Sequence, residues 1–212
     1  MIDLEQSISW MEKLKERINE KRDYLTLLDQ AIGDGDHGVN LSRRFSEMMI
    51  KVNRSFYQDI GSLFHDVGVS LLSEVSGASG NLYGTAFIKA STLVKDKADV
   101  TILELAHAFE VSVKEMKRRG ETQAGDKTMI DVWEPAVMYM KANAHDVPWH
   151  DFSIFCKKQM EKTKSLESKK ILGSKEGRSS IGQLDPGAVS SYYLFDTLSI
   201  VMIESGDNRW TM

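Results

Sequence analysis

The sequence predicts an all-α fold in one domain spanning residues 1–212, and three observations carry that expectation. Only three prolines occur in the chain. Apolar residues recur mostly three and four positions apart, the period of a helix with one buried face. Strict alternation, the signature of a half-buried strand, is nearly absent.

The first helix is expected over residues 4–28, where Leu4, Ile8, Met11, Ile18, Leu25 and Leu28 share a face. Asp3 precedes it as an N-cap, and Gln6 stands where a capping box places it. Helices follow over roughly 41–53 (Leu41, Phe45, Met48, Val52), 60–75 (Leu63, Phe64, Val67, Leu71), 82–94 and 101–118. Three more are expected over roughly 128–143, 150–167 and 188–205. The best strand candidate is VTILEL at 100–105, and its neighbours favour a helix. The reading is therefore eight helices and no sheet, without a repeat or a Gly/Ser/Pro-rich linker. A length of 212 residues is enough for one sizeable core.

Composition removes several function classes. A net charge of −4 without a basic stripe argues against nucleic acid and against a membrane surface as partners. A single cysteine, Cys156, builds neither an internal disulfide nor a structural zinc site, which fits a reducing cytoplasm. The N-terminal MIDLEQSISW has no charged and apolar regions of a signal peptide. No apolar run reaches the roughly 20 residues a membrane helix needs.

The loops are more informative than the helices. Four carry glycine: GDGDHGVN at 33–40, SGASGNLYGT at 76–85, GETQAGDKT at 120–128 and SIGQLDPGAVSS at 180–191. Between successive loops there is room for one helix going and one returning. In an antiparallel array every second connection lies at the same end, so all four loops are expected on one rim.

Asp29, Asp34 and Asp36 are hard oxygen donors of the type that suits Mg²⁺ or Ca²⁺. An EF-hand is excluded, because Gly38 and Phe45 occupy the fifth and twelfth positions counted from Asp34, where ligands are needed. So few protein ligands leave places for water and phosphate oxygens, which is how Mg²⁺ is usually held. A lone D-x-D is more often an Asx-rich turn. Asp29 and the following His37-Gly38-Val39-Asn40 favour the metal. Asn40 is a good N-cap, and amides at such a helix start bind phosphate. His37 is either a phosphoacceptor or a hydrogen-bond donor to phosphate, and the donor role is preferred.

The other loops carry weaker signals. SGASGNLYGT places small residues before a helix; it suits phosphate approach or a tight turn, and it is not a G-x-S-x-G elbow. Gly120 and Gly125 imitate a phosphate-binding P-loop, but Asp126 intrudes before Lys127-Thr128 and no strand precedes them. Asp126 is expected to cap a helix carrying Met129, Trp133 and Val137, with Pro135 kinking it or fraying its start. Met129 either lines a base slot or fills the core. Asp185-Pro186-Gly187 reads as a turn feeding a helix. The remaining histidines and the tryptophans show no catalytic pattern.

Taken in this order, D-x₄-D-x-D-H-G-x-N, G-A-S-G-x-L-Y-G-T, G-D-K-T-M-x-D-x-W-x-P and S-I-G-x-x-D-P-G-x-x-S resemble the nucleotide-binding L subunit of bacterial dihydroxyacetone kinase. The resemblance covers nearly the whole chain and rests on the motifs together. It implies a barrel of eight antiparallel helices with the nucleotide at one end. It further implies that Asp29, Asp34 and Asp36 bind two Mg²⁺ ions bridging to the phosphates of ADP or ATP. His37, Gly38, Val39 and Asn40, with Ala78 and Ser79, would contact the phosphates; Gly120, Met129, Asp185, Pro186 and Gly187 would surround the nucleoside. No protein nucleophile is expected, since phosphoryl transfer needs mainly positioning and charge neutralisation.

The resemblance also implies partners. The L subunit keeps ADP as a coenzyme, a phosphohistidine on an M subunit converts it to ATP, and the phosphoryl group passes to dihydroxyacetone on a K subunit. The chain has no room for a fused substrate domain, so a free cytoplasmic subunit is implied, with a homodimer left open.

One region departs from the family. Where it carries a stretch like KGRASYLGERSIG, this chain has KKILGSKEGRSSIG, with Leu172 and Ser179 in place of two arginines. Lys170, Lys175 and Arg178 are the nearby cations. Asn81 also replaces a proline of the family pattern. These changes imply a divergent paralogue. Two rivals remain: a kinase subunit for another small ketose or polyol, and a nucleotide-binding regulatory module without transfer activity.

Overall fold

The computed structural model describes residues 1–72, 78–169 and 180–207, with the side chains of 78–80 and 207 outside the described set. The all-α expectation holds. Helices α1 (Leu4–Glu20), α2 (Arg22–Ile32), α3 (His37–Val52), α4 (Ile60–Leu71) and α5 (Ala78–Leu93) form the first half. Helices α6 (Ile102–Gly120), α7 (Ile130–Ala142), α8 (Trp149–Lys162) and α9 (Pro186–Asp207) form the second, with a 3₁₀ turn at Thr163–Ser165.

Nine helices stand among the described residues where eight were expected, because the first divides at Lys21. That residue (φ −97°, ψ 10°) closes α1 and opens α2. Its N–H bonds the Arg17 carbonyl and its own carbonyl accepts from Leu25, so the break is a bend inside a continuing ladder. The expectation of no sheet is corrected by two short strands, β1 (Ile2–Asp3) and β2 (Asp99–Val100), which pair antiparallel. Asp3 and Gln6 form the expected capping box on α1, and Thr101 and Glu104 form a second on α6. Helix α7 continues through Pro135.

Consecutive helices from α3 to α9 pack on one another, and α9 also packs on α1 and α7. The array is filled through its centre and forms no closed barrel wall. Phe109 of α6 sits at the middle, edge-on to Trp10, Phe87, Trp133 and Phe195 from four other helices. The buried indole of Trp10 donates to the Leu194 carbonyl at 2.8 Å. Helices α4 and α5 touch backbone to backbone: a Cβ on Gly68 would lie 2.8 Å from the Gly84 carbonyl oxygen, and the reverse holds too. No helix among the described residues is long and apolar enough to cross a membrane.

This order of neighbours places the α2–α3, α4–α5, α6–α7 and α8–α9 connections at one end. The opposite end carries the β1–β2 pair and the caps of α4 and α6.

Candidate functional site

A cavity of about 670 Å³ opens where the four connections meet, and each contributes lining residues. Asp29, Asp34, Asp36, His37 and Asn40 come from around the first, and Asn81 and Leu82 from the start of α5, which follows the second. Gly120, Thr122 and Met129 come from the third, and Asp185, Pro186 and Gly187 from the fourth. The rim inferred from loop spacing is thus present. Its volume lies in the ordinary range for a small-molecule site.

The first connection is organised by Asp29. Its Oδ2 accepts the backbone N–H groups of Gly35, Asp36 and His37 at 3.0, 2.9 and 3.0 Å. This fixes the turn and anchors the start of α3. Gly35 sits at φ +83°, where a side chain would be strained. Gly38 lets α3 lie against α2: a Cβ there would overlap the Arg22 carbonyl oxygen. Asn40 is not the N-cap expected; α3 starts three residues earlier with Asp36 in that position, and the Asn40 N–H bonds the Asp36 carbonyl at 2.9 Å.

Ligand oxygens of Asp29, Asp34 and Asp36 lie within 4.8 Å of one another. Burial pushes the Asp29 carboxyl above the usual range; the Asp34 carboxylate adds to this, while the amides of His37 and Asp36 oppose it. Burial likewise raises Asp36, with the Asp34 and Asp29 charges adding to it. A hard cation would relieve the repulsion that the neighbouring carboxylates exert on Asp29 and Asp36, so the donor set fits one.

His37 is buried, and burial lowers its imidazole to about 4, so the ring is neutral at pH 7. Its Nε2 meets Ser190 Oγ at 3.1 Å. Ser190 meets the Tyr83 hydroxyl at 2.9 Å, Tyr83 meets Ser191 at 3.0 Å, and Trp133 Nε1 donates to Ser191 at 3.0 Å. The chain of hydrogen bonds joins α3, α5, α7 and α9 beneath the cavity and holds His37 in one orientation.

At the fourth connection, Asp185 Oδ2 accepts the Ala188 N–H at 2.6 Å, and Pro186 is the first residue of α9, where its missing N–H costs nothing. Burial pushes the Asp185 carboxyl up to about 7. Met129 is 3% exposed and faces Gly187, on which a Cβ would lie 3.5 Å from its own. Met129 therefore belongs to the core and lines the cavity as well.

Some expectations land elsewhere. Val39 is half exposed and outside the cavity lining, and Gly38 is buried against α2. Ala78 and Ser79 head α5, with side chains outside the described set. Leu172, Ser179, Lys170, Lys175 and Arg178 also lie outside the described residues. Asp126 does not cap α7. It accepts the Gln123 N–H at 2.8 Å and pairs with Lys169 at 2.8 Å, while Asp131 accepts the Thr128 N–H at 2.7 Å.

Three cations in the lining, Arg44, Arg119 and Lys127, were missed by sequence reasoning. Arg44 is 2% exposed and donates from Nη1 to the Leu71 carbonyl at the end of α4. A signal existed: Arg44 lies three residues after Leu41 and four before Met48, on the buried stripe of α3. Arg119 donates to Thr85 Oγ1 at 3.1 Å.

Fold and cavity define an all-α domain with a cluster of three carboxylates at a cavity that Arg44, Arg119 and Lys127 also line. The chain belongs to the DAK2 domain family, whose model matches residues 31–199. It is similar to the ADP-binding subunit DhaL of PEP-dependent dihydroxyacetone kinase 1 from Listeria innocua, 38% identical over 198 residues, 92% of this chain and 96% of that protein. The ADP-binding subunit DhaL of the PEP-dependent dihydroxyacetone kinase of Escherichia coli is 33% identical over 204 residues, 94% of this chain and 97% of that one. Among solved structures, the dihydroxyacetone kinase from C. freundii in complex with AMP-PNP and Mg²⁺ shares the fold, with a TM-score of 0.71 at 24% identity. That match covers 91% of this chain and 33% of the other.

Proposed function

We propose that this chain is the ADP-binding subunit of a phosphoenolpyruvate-dependent dihydroxyacetone kinase. The observation that carries the reading is the cavity itself. Four sequence-distant connections meet at one end, with an acidic triad on one wall, in a chain that parallels ADP-binding subunits along nearly their full length.

In this reading Asp29, Asp34 and Asp36 hold two Mg²⁺ ions. With these carboxylates as ligands, Mg²⁺ would supply neutralisation of the phosphate charge. His37 and Asn40, which line the cavity at the start of α3, approach the phosphates, and the fixed neutral imidazole of His37 orients them. Ala78 and Ser79 approach from α5. Gly120, Met129 and Asp185-Pro186-Gly187 enclose the nucleoside and exclude water from it. No side chain serves as a nucleophile; the chain positions the nucleotide while the phosphoryl group passes between proteins. The donor is a phosphohistidine on an M subunit, the acceptor is dihydroxyacetone on a K subunit, and the site of action is the cytoplasm.

The test has two stages. Purified protein is denatured and any released nucleotide identified by mass; retained ADP in stoichiometric amount is expected. The protein is then combined with candidate K and M subunits, phosphoenolpyruvate and dihydroxyacetone, and triose phosphate is measured. Nucleotide binding without transfer would contradict the kinase reading and leave a regulatory one. A protein without affinity for Mg-ADP would contradict both.

A further inference from the structure

Lys127 belongs to a motif that imitates a P-loop, yet its side chain is turned into the protein. It is 1% exposed and sits at φ +60°, a conformation that is costly for any residue but glycine. Its ammonium donates to four backbone carbonyls: Thr163 at 2.8 Å, Leu166 at 3.0 Å, Ser180 at 2.6 Å and Gln183 at 2.6 Å. An ammonium has three protons, so four oxygens around it form a cage of carbonyl dipoles held by charge as well as by hydrogen bonds.

The location of those carbonyls gives the cage its meaning. Thr163 and Leu166 follow α8, and Ser180 and Gln183 precede α9, so one cation gathers both ends of the long α8–α9 connection. Thr163 extends the tie, since its Oγ1 accepts the Asp185 N–H at 3.2 Å. On the other side, Met129 follows Lys127 by two residues. The ammonium therefore links the two segments that present Met129 and Asp185-Pro186-Gly187 to the cavity.

We infer that Lys127 is a positioning residue for the nucleotide: by caging these four carbonyls it sets the wall that receives the nucleoside. The inference rests on the nucleotide reading of the cavity. It assigns the lysine of the G-D-K-T stretch a role opposite to that of a P-loop lysine, which points outward to phosphates.

Lys127→Gly removes the ammonium and suits the positive φ, so it adds no backbone strain. n-Butylammonium reproduces the missing atoms from Cβ to Nζ and serves as the probe. Mg-ADP affinity is measured by calorimetry at a temperature where the variant's far-ultraviolet circular dichroism matches the wild type. The dissociation constant is expected to rise about tenfold or more and to recover with n-butylammonium. Tetramethylammonium, a cation without N–H donors, is expected to give no recovery. An unchanged constant overturns the inference, and so does a loss that n-butylammonium fails to relieve, which marks a merely structural role. Should Lys127→Gly not fold, Lys127→Arg keeps the charge but presents its donors in a planar fork. Weakened Mg-ADP binding by folded Lys127→Arg is then expected, and wild-type affinity overturns the inference. A wild-type protein that does not bind Mg-ADP contradicts the proposed function instead, before any variant is compared.

Discussion

The wall built from residues 29–40 and the wall built from residues 120–129, 163–166 and 180–187 are each gathered around one charged side chain, of opposite sign. On the first, the Asp29 carboxylate collects three amides no more than eight residues away. On the second, the Lys127 ammonium collects four carbonyls between 36 and 56 residues away. The first arrangement is local, written in one contiguous stretch, and sets Asp34 and Asp36 in the lining of the cavity. The second is non-local and spends its charge inside the protein. Carboxylate and ammonium do comparable jobs of ordering backbone, but only the carboxylate has its partners in the adjoining sequence.

Substitutions separate the two walls. The largest stability effect is expected on the first, from Gly38→Ala. The added Cβ overlaps the Arg22 carbonyl and comes within 2.8 Å of the Thr26 nitrogen, so α2 and α3 must part. A loss of about 3 kcal/mol in urea unfolding is expected, with weakened Mg-ADP binding. Wild-type stability would mean that the two helices are not held at this spacing.

A smaller effect, of definite sign, is expected on the second wall. Folded Asp185 titrates at about 7 against an ordinary 3.8, so between these values the folded state holds a proton that the unfolded state has released. Its contribution to stability is full below the unfolded value and is lost as pH rises through about 7. His37 works in the other direction: lowered to about 4 from 6.5, it contributes above the unfolded value and loses that contribution as pH falls. Measured without metal, the stability of wild type minus that of Asp185→Asn should fall between about pH 4 and about pH 7 and level off above. A flat difference would show that the carboxyl does not carry this proton.

The smallest effect lies at the opposite end of the array, which serves as the control. Thr101 accepts the Glu104 N–H in the capping box of α6, and Thr101→Ala should cost about 1 kcal/mol. Mg-ADP affinity should not change, and a change would connect that end to the site.

The same contrast between local and non-local explains what the sequence reveals. Helix positions follow from apolar spacing, and the rim follows from counting helices between glycine loops. The bend at Lys21 carries no glycine or proline, so nothing marks it. Strands of two residues are too short to show alternation. On the cavity, the acidic triad, His37, Met129 and Asp185-Pro186-Gly187 were all found, because each lies in a motif. Asp126 was misplaced as a cap, since Asp126 and Asp131 are equally plausible before their partners are known. Nothing in the sequence marks the burial of Lys127, because only tertiary packing distinguishes a caged lysine from a solvated one. Leu172, at the departure from the family pattern, lies outside the described residues; among the described residues the cations lining the cavity are Arg44, Arg119 and Lys127.

The central claim is that the acidic connection holds a nucleotide through divalent metal. Its most direct test is calorimetric titration of ADP, with and without Mg²⁺, into wild type and Asp34→Ala. Asp34 is exposed, so its loss should leave the melting temperature nearly unchanged. Stoichiometric ADP binding that requires Mg²⁺ and weakens about 100-fold in Asp34→Ala is the predicted result. Binding indifferent both to Mg²⁺ and to this substitution would contradict the account.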